Sequence, residues 1–171
     1  MEEVVLVNEQ DKAVGVIEKL EAHRKGLLHR AFSVFIFNSS QQLLLQKRAL
    51  NKYHSAGLWT NTCCSHPRPE EEIIPAAQRR LWEEMAIKCT LVPVFTFIYK
   101  AHFDNGLIEH EYDHVFIGKT DNIPKINKEE ADEWKYMALK DIKEDIIINP
   151  ANYTEWFKLS YDRVFKLLFD L

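Results

Sequence analysis

The chain has 171 residues, of which 46% are hydrophobic and 28% are charged, which is enough for a single globular domain with a sizeable core. Its formal net charge of −4 comes from evenly mixed acidic and basic residues. This argues against a nucleic-acid-binding surface, which needs a concentrated basic face. The N-terminal segment MEEVVLVNEQ carries acids and no long apolar run, so we expect neither a signal peptide nor a membrane-spanning segment.

The three cysteines give a further indication of the compartment. Cys63 and Cys64 are adjacent and Cys89 stands alone, which does not make an even disulfide framework. Free thiols in a reducing compartment fit this pattern better. We therefore expect a cytoplasmic protein.

The first part of the chain contains two pairs of strand-like segments. β-Branched runs begin at Val4 and Ala13 on either side of the turn-prone residues 8–11, which predicts a hairpin. Residues 31–37 are aromatic and β-branched, and a second strand-like run follows at residues 43–48 after a polar turn. We expect this second pair to form a well-buried hairpin.

The middle of the chain predicts an amphipathic helix that starts near Pro75. Its apolar positions recur every four residues, at Ala77, Leu81 and Met85. Its other face gathers three charged neighbours, Arg80, Glu83 and Glu84.

The second half adds one more hairpin and a helical tail. Strand patterns starting at Val94 and Leu107 are joined by the turn Asp104-Asn105-Gly106, which is a strong hairpin signal. A longer helix is expected over residues 154–168, where apolar side chains share one face. The whole pattern predicts the α+β class, with a mixed β-sheet core, flanking helices and one domain over residues 1–171.

Acidic side chains alternate along the strand that follows the last turn. Glu109, Glu111 and Asp113 share one face of this strand. If that face met solvent, the pattern would be ordinary. A bound divalent cation is the alternative that makes clustered carboxylates favourable.

Histidines and a thiol precede this strand in the sequence. Cys64 and His66 lie two residues apart and face the same side of an extended segment, while His23 and His29 flank a short loop. Each alone is ordinary, because cysteines fill cores and single histidines lie at surfaces or cap helices. Taken together with the two glutamates, the three histidines form a plausible five-ligand nitrogen and oxygen site for Mn²⁺, Mg²⁺ or Zn²⁺.

Basic residues recur near the same elements. By composition alone, they could be scattered solvated charges. If they converge on one pocket, they suit a diphosphate group, which favours Arg forks and compact Lys charges. The set consists of Lys19, Arg48, Lys52 and Arg80.

The predicted helix and the loop before it resemble the Nudix box over residues 65–87. The matching positions are Glu71, Arg79, Leu81, Glu83, Glu84 and Ile87. The departures are Ser65 and Ala86 in place of glycines and Arg80 in place of a glutamate. With these departures, the box has fewer acidic residues to bind Mg²⁺ ions than its usual form has. This argues against ordinary nucleoside-diphosphate hydrolysis.

Several strings then resemble the type 1 isopentenyl-diphosphate isomerase family. They are LLHRAFSVFIFN, LQKRAL, TNTCCSHP, AAQRRL and EHEYD, in the order and spacing of that family. The resemblance is close over about residues 19–113, and beyond them only Trp156-Phe157 stands out.

This resemblance implies a fold, an activity and a set of site residues. It implies a Nudix-like fold and a metal-dependent, flavin-independent shift of the double bond between isopentenyl and dimethylallyl diphosphate. The implied catalytic residues are Cys64, Glu111 and Tyr99. The implied substrate-binding residues are Lys19, Arg48, Lys52, Arg80 and Trp156. The implied ligands of one divalent ion (Mn²⁺, Mg²⁺ or Zn²⁺) are His23, His29, His66, Glu109 and Glu111.

Glu84 is implied to help hold a separate Mg²⁺ that bridges the diphosphate. The expected partner is a small isoprenoid diphosphate, with no nucleic acid or membrane, and the chain is expected to be a monomer. Two other functions remain open at this point: a Nudix hydrolase of a diphosphate-containing substrate, and a non-catalytic module that binds a phosphorylated ligand.

Overall fold

The computed structural model describes residues 2–169, which form one mixed β-sheet with helices on both faces. The strands are β1 (Glu3–Val7), β2 (Ala13–Glu18), β3 (His29–Phe37), β4 (Gln42–Arg48), β5 (Trp59–Thr60), β6 (Cys63–Ser65), β7 (Leu91–His102), β8 (Ile108–Lys119) and β9 (Ala131–Ala138). The α-helices are α1 (Lys19–Lys25), α2 (Ile73–Met85), α3 (Leu139–Ile148) and α4 (Glu155–Phe169), and a 3₁₀ turn spans Pro150–Asn152. No helix among the described residues is long and apolar enough to cross a membrane.

Strand β3 lies at the centre of the sheet, and almost all of its side chains are buried, on both faces of the sheet. It runs parallel to β8 for nine residue pairs, from His29 opposite Glu111 to Phe37 opposite Lys119. On its other side it pairs antiparallel with β6. Strands β7 and β8 form the hairpin that the turn at Gly106 predicts, and Gly106 has the positive φ of 81° that such a turn favours.

The second predicted hairpin is wrong in its pairing. Strands β3 and β4 meet only at Phe37 and Leu43, beside the turn, and then separate. Strand β4 pairs instead with β9, from Gln42 opposite Ala138 onward, and with β5. The turn residues fix only the first pair, whereas β3 gains more apolar contacts by pairing with the long strand β8.

Side chains alternate between two hydrophobic cores. On one face of β3, Phe35 and Phe37 pack with residues of α3 and α4. On the other face, Val34 and Ile36 pack against α2, whose buried positions include Leu81. Each such buried side chain contributes about 2 to 3 kcal/mol. The predicted α+β class with helices flanking a mixed sheet is confirmed.

Elements α1 and β9 have no counterpart in the predicted pattern. The loop predicted between His23 and His29 begins inside a helix. Residues 19–25 form α1, which Glu18 caps by accepting hydrogen bonds from two backbone amides and which ends at Gly26 with φ 61°. Strand β9 lies in a segment whose alternation is blurred by charged residues. Both elements are stabilised by tertiary contacts, which local patterns do not report.

Candidate metal centre and substrate cleft

The three acids of β8 face the interior. Glu109, Glu111 and Asp113 are all buried on one face of the strand, as the alternation predicts. The alternative that this face meets solvent is therefore wrong. Buried carboxylates are costly unless protons or cations compensate them, so this face needs a chemical explanation.

A group of histidines surrounds Glu111. Because β3 and β8 are in parallel register, His29 lies directly opposite Glu111. His66 follows β6 and places its Nε2 3.0 Å from Oε1 of Glu111. His23 comes from α1, and one donor atom from each of these four residues lies within 4.8 Å of the others.

Two of the histidine rings are oriented by backbone carbonyls. The Nδ1–H of His23 donates to the carbonyl of Lys19, and that of His29 donates to the carbonyl of Leu27, both at 2.8 Å. Each ring therefore presents a free Nε2 lone pair to the centre of the group. Both Nε2 atoms are buried and have no hydrogen-bond partner among the described residues.

These orphaned nitrogens fit a divalent ion. A buried polar atom without a partner costs about 1 to 3 kcal/mol, and metal ligation removes that cost. Imidazole nitrogens with carboxylate oxygens form a donor set that suits first-row transition ions. Burial also lowers the pKa of His66 to about 4, which keeps this imidazole in the neutral form that ligation requires.

The two glutamates of the group have opposite electrostatic environments. Burial and the neighbouring charge of Glu111 raise the pKa of Glu109 well above its ordinary value. Burial acts in the same sense on Glu111, but the contacts with His29 and His66 outweigh it and hold the pKa of Glu111 well below its ordinary value. Glu111 is thus the ionised member of the pair.

Tyr99 joins both glutamates. It lies opposite Glu111 in the β7–β8 register, and its hydroxyl donates to Oε2 of Glu111 at 2.6 Å. The same oxygen is 3.1 Å from Oε2 of Glu109. Burial raises the pKa of Tyr99 well above its ordinary value, so its proton stays on the phenol at neutral pH.

Adjacent Cys63 and Cys64 point to opposite faces of the sheet. Cys64 pairs with Ser33, which is four residues from His29 along β3, so Cys64 shares the face of His29 and Glu111. Cys63 lies in the core beneath α2. The description of a small core-filling thiol therefore suits Cys63, whereas Cys64 borders the cleft.

Cys64 and Glu111 line one cavity of about 440 Å³, together with Tyr99, Glu109 and Trp156. Ser33 and His29, their partners on β3, are four residues apart, which corresponds to roughly 13 Å along the strand. The thiol and the carboxylate therefore approach the cavity from separated positions. Burial raises the pKa of the Cys64 thiol, so it is protonated at neutral pH.

The four predicted basic residues line the same cavity rather than being scattered. Lys19 is 3.0 Å from Glu2, and Arg80 is 2.9 Å from Glu84 and 3.1 Å from Glu130. Lys52 also forms an ion pair with Glu130. The guanidinium of Arg48 lies 5.2 Å from the ring centroid of Trp156.

Trp156 is fixed by the segment that carries the cysteines. Its indole Nε1–H donates to Oδ1 of Asn61 at 3.1 Å, and Asn61 donates in turn to the carbonyls of Val34 and Cys63. Glu84 is held similarly, since it accepts hydrogen bonds from Gln46 and Arg80 at 2.9 Å. Both side chains are buried at the cavity wall.

Sequence reasoning missed two residues of this site, His54 and Glu130. Both line the cavity, and His54 forms a second compact donor group with His23 and Glu109. Burial and the charge of Arg48 lower the pKa of His54 to about 2. In the sequence, the one feature that pointed to His54 was its position two residues after Lys52. Glu130 lies in an acidic segment for which no structure or role was predicted.

The fold and the helix α2 define a class of protein. The NUDIX domain family matches residues 27–157. DR0079 from Deinococcus radiodurans has the same fold, with a TM-score of 0.79 at 20% identity over 95% of this chain and 98% of that one. The MutT protein from Methanosarcina mazei Go1 gives a TM-score of 0.64 at 20% identity over 80% and 91% of the two chains.

Curated relatives are much more similar in sequence. The chain is 56% identical to the isopentenyl-diphosphate Delta-isomerase of Pectobacterium atrosepticum, over 95% of this chain and 90% of that protein. It is 53% identical to isopentenyl-diphosphate Delta-isomerase 1 of Aromatoleum aromaticum, over 95% and 92% of the two chains. The chain therefore belongs to the NUDIX family and, within it, to the isopentenyl-diphosphate Delta-isomerases.

Proposed function

We propose that this protein interconverts isopentenyl diphosphate and dimethylallyl diphosphate. The observation that carries the proposal is one cavity that brings a thiol, a hydrogen-bonded phenol–carboxylate pair and a cluster of basic residues together. The relatives that share about half of its residues are named for this isomerisation. We further propose that the protein is a cytoplasmic monomer whose partner is this small diphosphate.

The reaction needs two groups on separate sides of a five-carbon chain. One proton is added to the terminal alkene carbon, and one proton is removed from the carbon next to the CH₂–O group, so that the double bond moves by one position. We assign the group at one side to Glu111 with Tyr99 and the group at the other side to Cys64. The 2.6 Å contact between Tyr99 and Glu111 allows a proton to pass within that pair.

We propose that His23, His29, His66, Glu109 and Glu111 hold a divalent ion, with Mn²⁺, Mg²⁺ and Zn²⁺ as candidates. A bound ion would supply positive charge that makes the hydrogen-bonded Tyr99–Glu111 pair a stronger proton donor. The support for this assignment is the two buried Nε2 atoms of His23 and His29, which have no hydrogen-bond partner among the described residues, and the convergence of donor atoms from His23, His29, His66 and Glu111. Glu109 converges with His23 in a second group. Glu111 is thus proposed to serve both as a ligand and in proton transfer.

The diphosphate end of the substrate is assigned to the basic cluster. Lys19, Arg48, Lys52 and Arg80 supply compact ammonium charges and guanidinium forks. Glu84 would serve as a carboxylate ligand of a Mg²⁺, a hard cation whose positive charge would favour binding of the diphosphate. Its two hydrogen-bond donors, Gln46 and Arg80, hold the carboxylate in place.

Trp156 is proposed to stabilise the positive charge that develops on the substrate. Protonation of an alkene creates a carbocation-like centre, and an indole face attracts a cation by roughly 1 to 2 kcal/mol when water is excluded. Arg48 already lies over this ring, which is consistent with a face that accepts positive charge. The buried position of Trp156 also helps to keep water from the reacting carbon.

The test is incubation of the purified protein with isopentenyl diphosphate and Mg²⁺ in D₂O without flavin, followed by NMR of the product. Deuterium in the new methyl group of dimethylallyl diphosphate is expected. A parallel incubation with nucleoside-diphosphate derivatives tests the hydrolase alternative, which Glu83 and Glu84 favour. Release of phosphate or a nucleoside monophosphate there, with no isomerisation, would overturn the proposal.

A further inference from the structure

His54 is a buried imidazole of the cavity to which the proposed function assigns no role. It lies in the loop between β4 and β5, and its Nε2 is 3.4 Å from Oε1 of Glu109. An N–H···O hydrogen bond is usually about 2.9 Å long, so this contact is long for such a bond. An imidazole nitrogen therefore faces a carboxylate oxygen without binding it closely.

The same spacing occurs elsewhere in the site. Nε2 of His29 is 3.5 Å from Oε1 of Glu111, and both of these residues are proposed metal ligands. Two ligands at neighbouring positions of an octahedral ion, with bonds of about 2.2 Å, stand roughly 3.1 Å apart. The pair of His54 and Glu109 thus repeats, within a few tenths of an ångström, the geometry of two donors that share a cation.

His23 connects the two pairs. Donor atoms of His23, His54 and Glu109 lie within 4.8 Å of one another, and His23 also belongs to the group that contains His29 and Glu111. Because Nδ1 of His23 donates to a carbonyl, the ring has one lone pair left, on Nε2. One lone pair binds one ion, so if both groups bind a metal through His23, they bind the same ion.

We propose that His54 is a further ligand of this metal centre, and that its Nε2 takes the sixth position beside the three histidines and two glutamates. This inference rests on the metal centre of the proposed function. Six nitrogen and oxygen donors complete an octahedron, whereas the five proposed above leave one position open. A fourth imidazole also shifts the preference of the centre from Mg²⁺ toward transition ions.

The surroundings of His54 hold its ring in one orientation. The ring stacks on Phe103 with 4.8 Å between centroids and 19° between planes, and it meets Trp156 edge-on at 6.1 Å. Nδ1 is 3.4 Å from Oγ of Ser55, which leaves Nε2 directed at Glu109. A ligand held in this way loses little conformational freedom when it binds an ion.

The experiment counts the coordinated nitrogens directly. The purified protein and the variant His54→Ala are loaded with Mn²⁺, and pulsed EPR measures the number of coupled imidazole nitrogens. Four are expected in the unsubstituted protein and three in the variant, with Mn²⁺ affinity at least tenfold lower. The exposed His102 provides the matched control, since His102→Ala should leave both values unchanged.

Three coupled nitrogens in both the unsubstituted protein and His54→Ala would overturn the proposal. This holds even if the Mn²⁺ affinity of the variant falls, because a residue that only positions Glu109 changes the affinity without changing the number of coordinated nitrogens. Circular dichroism verifies that His54→Ala is folded, and His54→Gln provides a second variant without imidazole. The proposed isomerase function is tested separately, by turnover of the unsubstituted protein. If that protein is active but has only three coupled imidazole nitrogens, the role of His54 alone is contradicted. If it has four coupled nitrogens but no activity, the isomerase function alone is contradicted.

Discussion

The hydroxyl of Tyr99 donates a hydrogen bond of 2.6 Å to Glu111, and the β7–β8 register places the two residues directly opposite each other. The phenol is the nearest proton carrier to this carboxylate. We predict that Tyr99→Phe lowers kcat by about 10² to 10⁴ while KM changes little, because the lost group acts on the proton rather than on the diphosphate. Steady-state kinetics checks this, and a wild-type kcat would remove Tyr99 from the proton path.

The adjacent cysteines give a paired test of which thiol reacts. Cys64 borders the cavity and Cys63 lies in the opposite core, so Cys64→Ala and Cys64→Ser should nearly abolish turnover. Cys63→Ala should keep turnover within about tenfold and lose about 1 kcal/mol of stability through the removed side-chain atom. Kinetics and urea unfolding of the three variants measure this, and comparable activity losses at both positions would contradict the assignment.

Glu130 places a negative charge among the cations assigned to the diphosphate. It pairs with Lys52 and Arg80, so a phosphate group must compete with it for both partners. We predict that Glu130→Gln tightens the binding of inorganic pyrophosphate by about 3- to 10-fold in the absence of Mg²⁺, since one repulsive charge is removed. Isothermal titration calorimetry checks the sign, and weaker binding would show that Glu130 orients the cations instead.

Ala86 ends α2 in a left-handed conformation, with φ 53°. A residue with an L side chain pays about 1 to 2 kcal/mol of strain in this conformation, and glycine does not. Glycine also makes the unfolded chain more flexible, which offsets part of this gain. We predict that Ala86→Gly raises the free energy of unfolding by about 0.5 to 1 kcal/mol with no loss of activity. Chemical denaturation measures the change, and a destabilised variant would mean that the Ala86 methyl group contributes packing that outweighs the strain.

Removal of divalent ions should destabilise the protein. The buried Nε2 atoms of His23 and His29 have no hydrogen-bond partner in the part of the chain that the structure describes, and an ion at a free concentration of 100 Kd adds about 2.7 kcal/mol to the folded state. We predict a lower Tm after chelation and its recovery when Mn²⁺ is added. In His29→Ala the ion-dependent shift should become small; an equal shift in this variant would place the stabilising ion elsewhere.

Local pattern determined much of the fold and the site. A period of two along β8 put Glu109, Glu111 and Asp113 on one face, and a period near four gave the buried face of α2. The β7–β8 hairpin followed from its Asn-Gly turn. These features depend on residues close together in the chain, so the sequence alone reports them. The roles of the individual site residues came from the family resemblance and remain predictions.

Tertiary packing decided the remainder. The partner of β3 is β8, more than seventy residues away, and no turn or periodicity encodes that choice. The same pairing sets His29 beside Glu111, and the loop after β4 places Nε2 of His54 3.4 Å from Oε1 of Glu109. Which distant side chains meet depends on how two cores bury the most apolar surface at once, and that is a property of the whole chain.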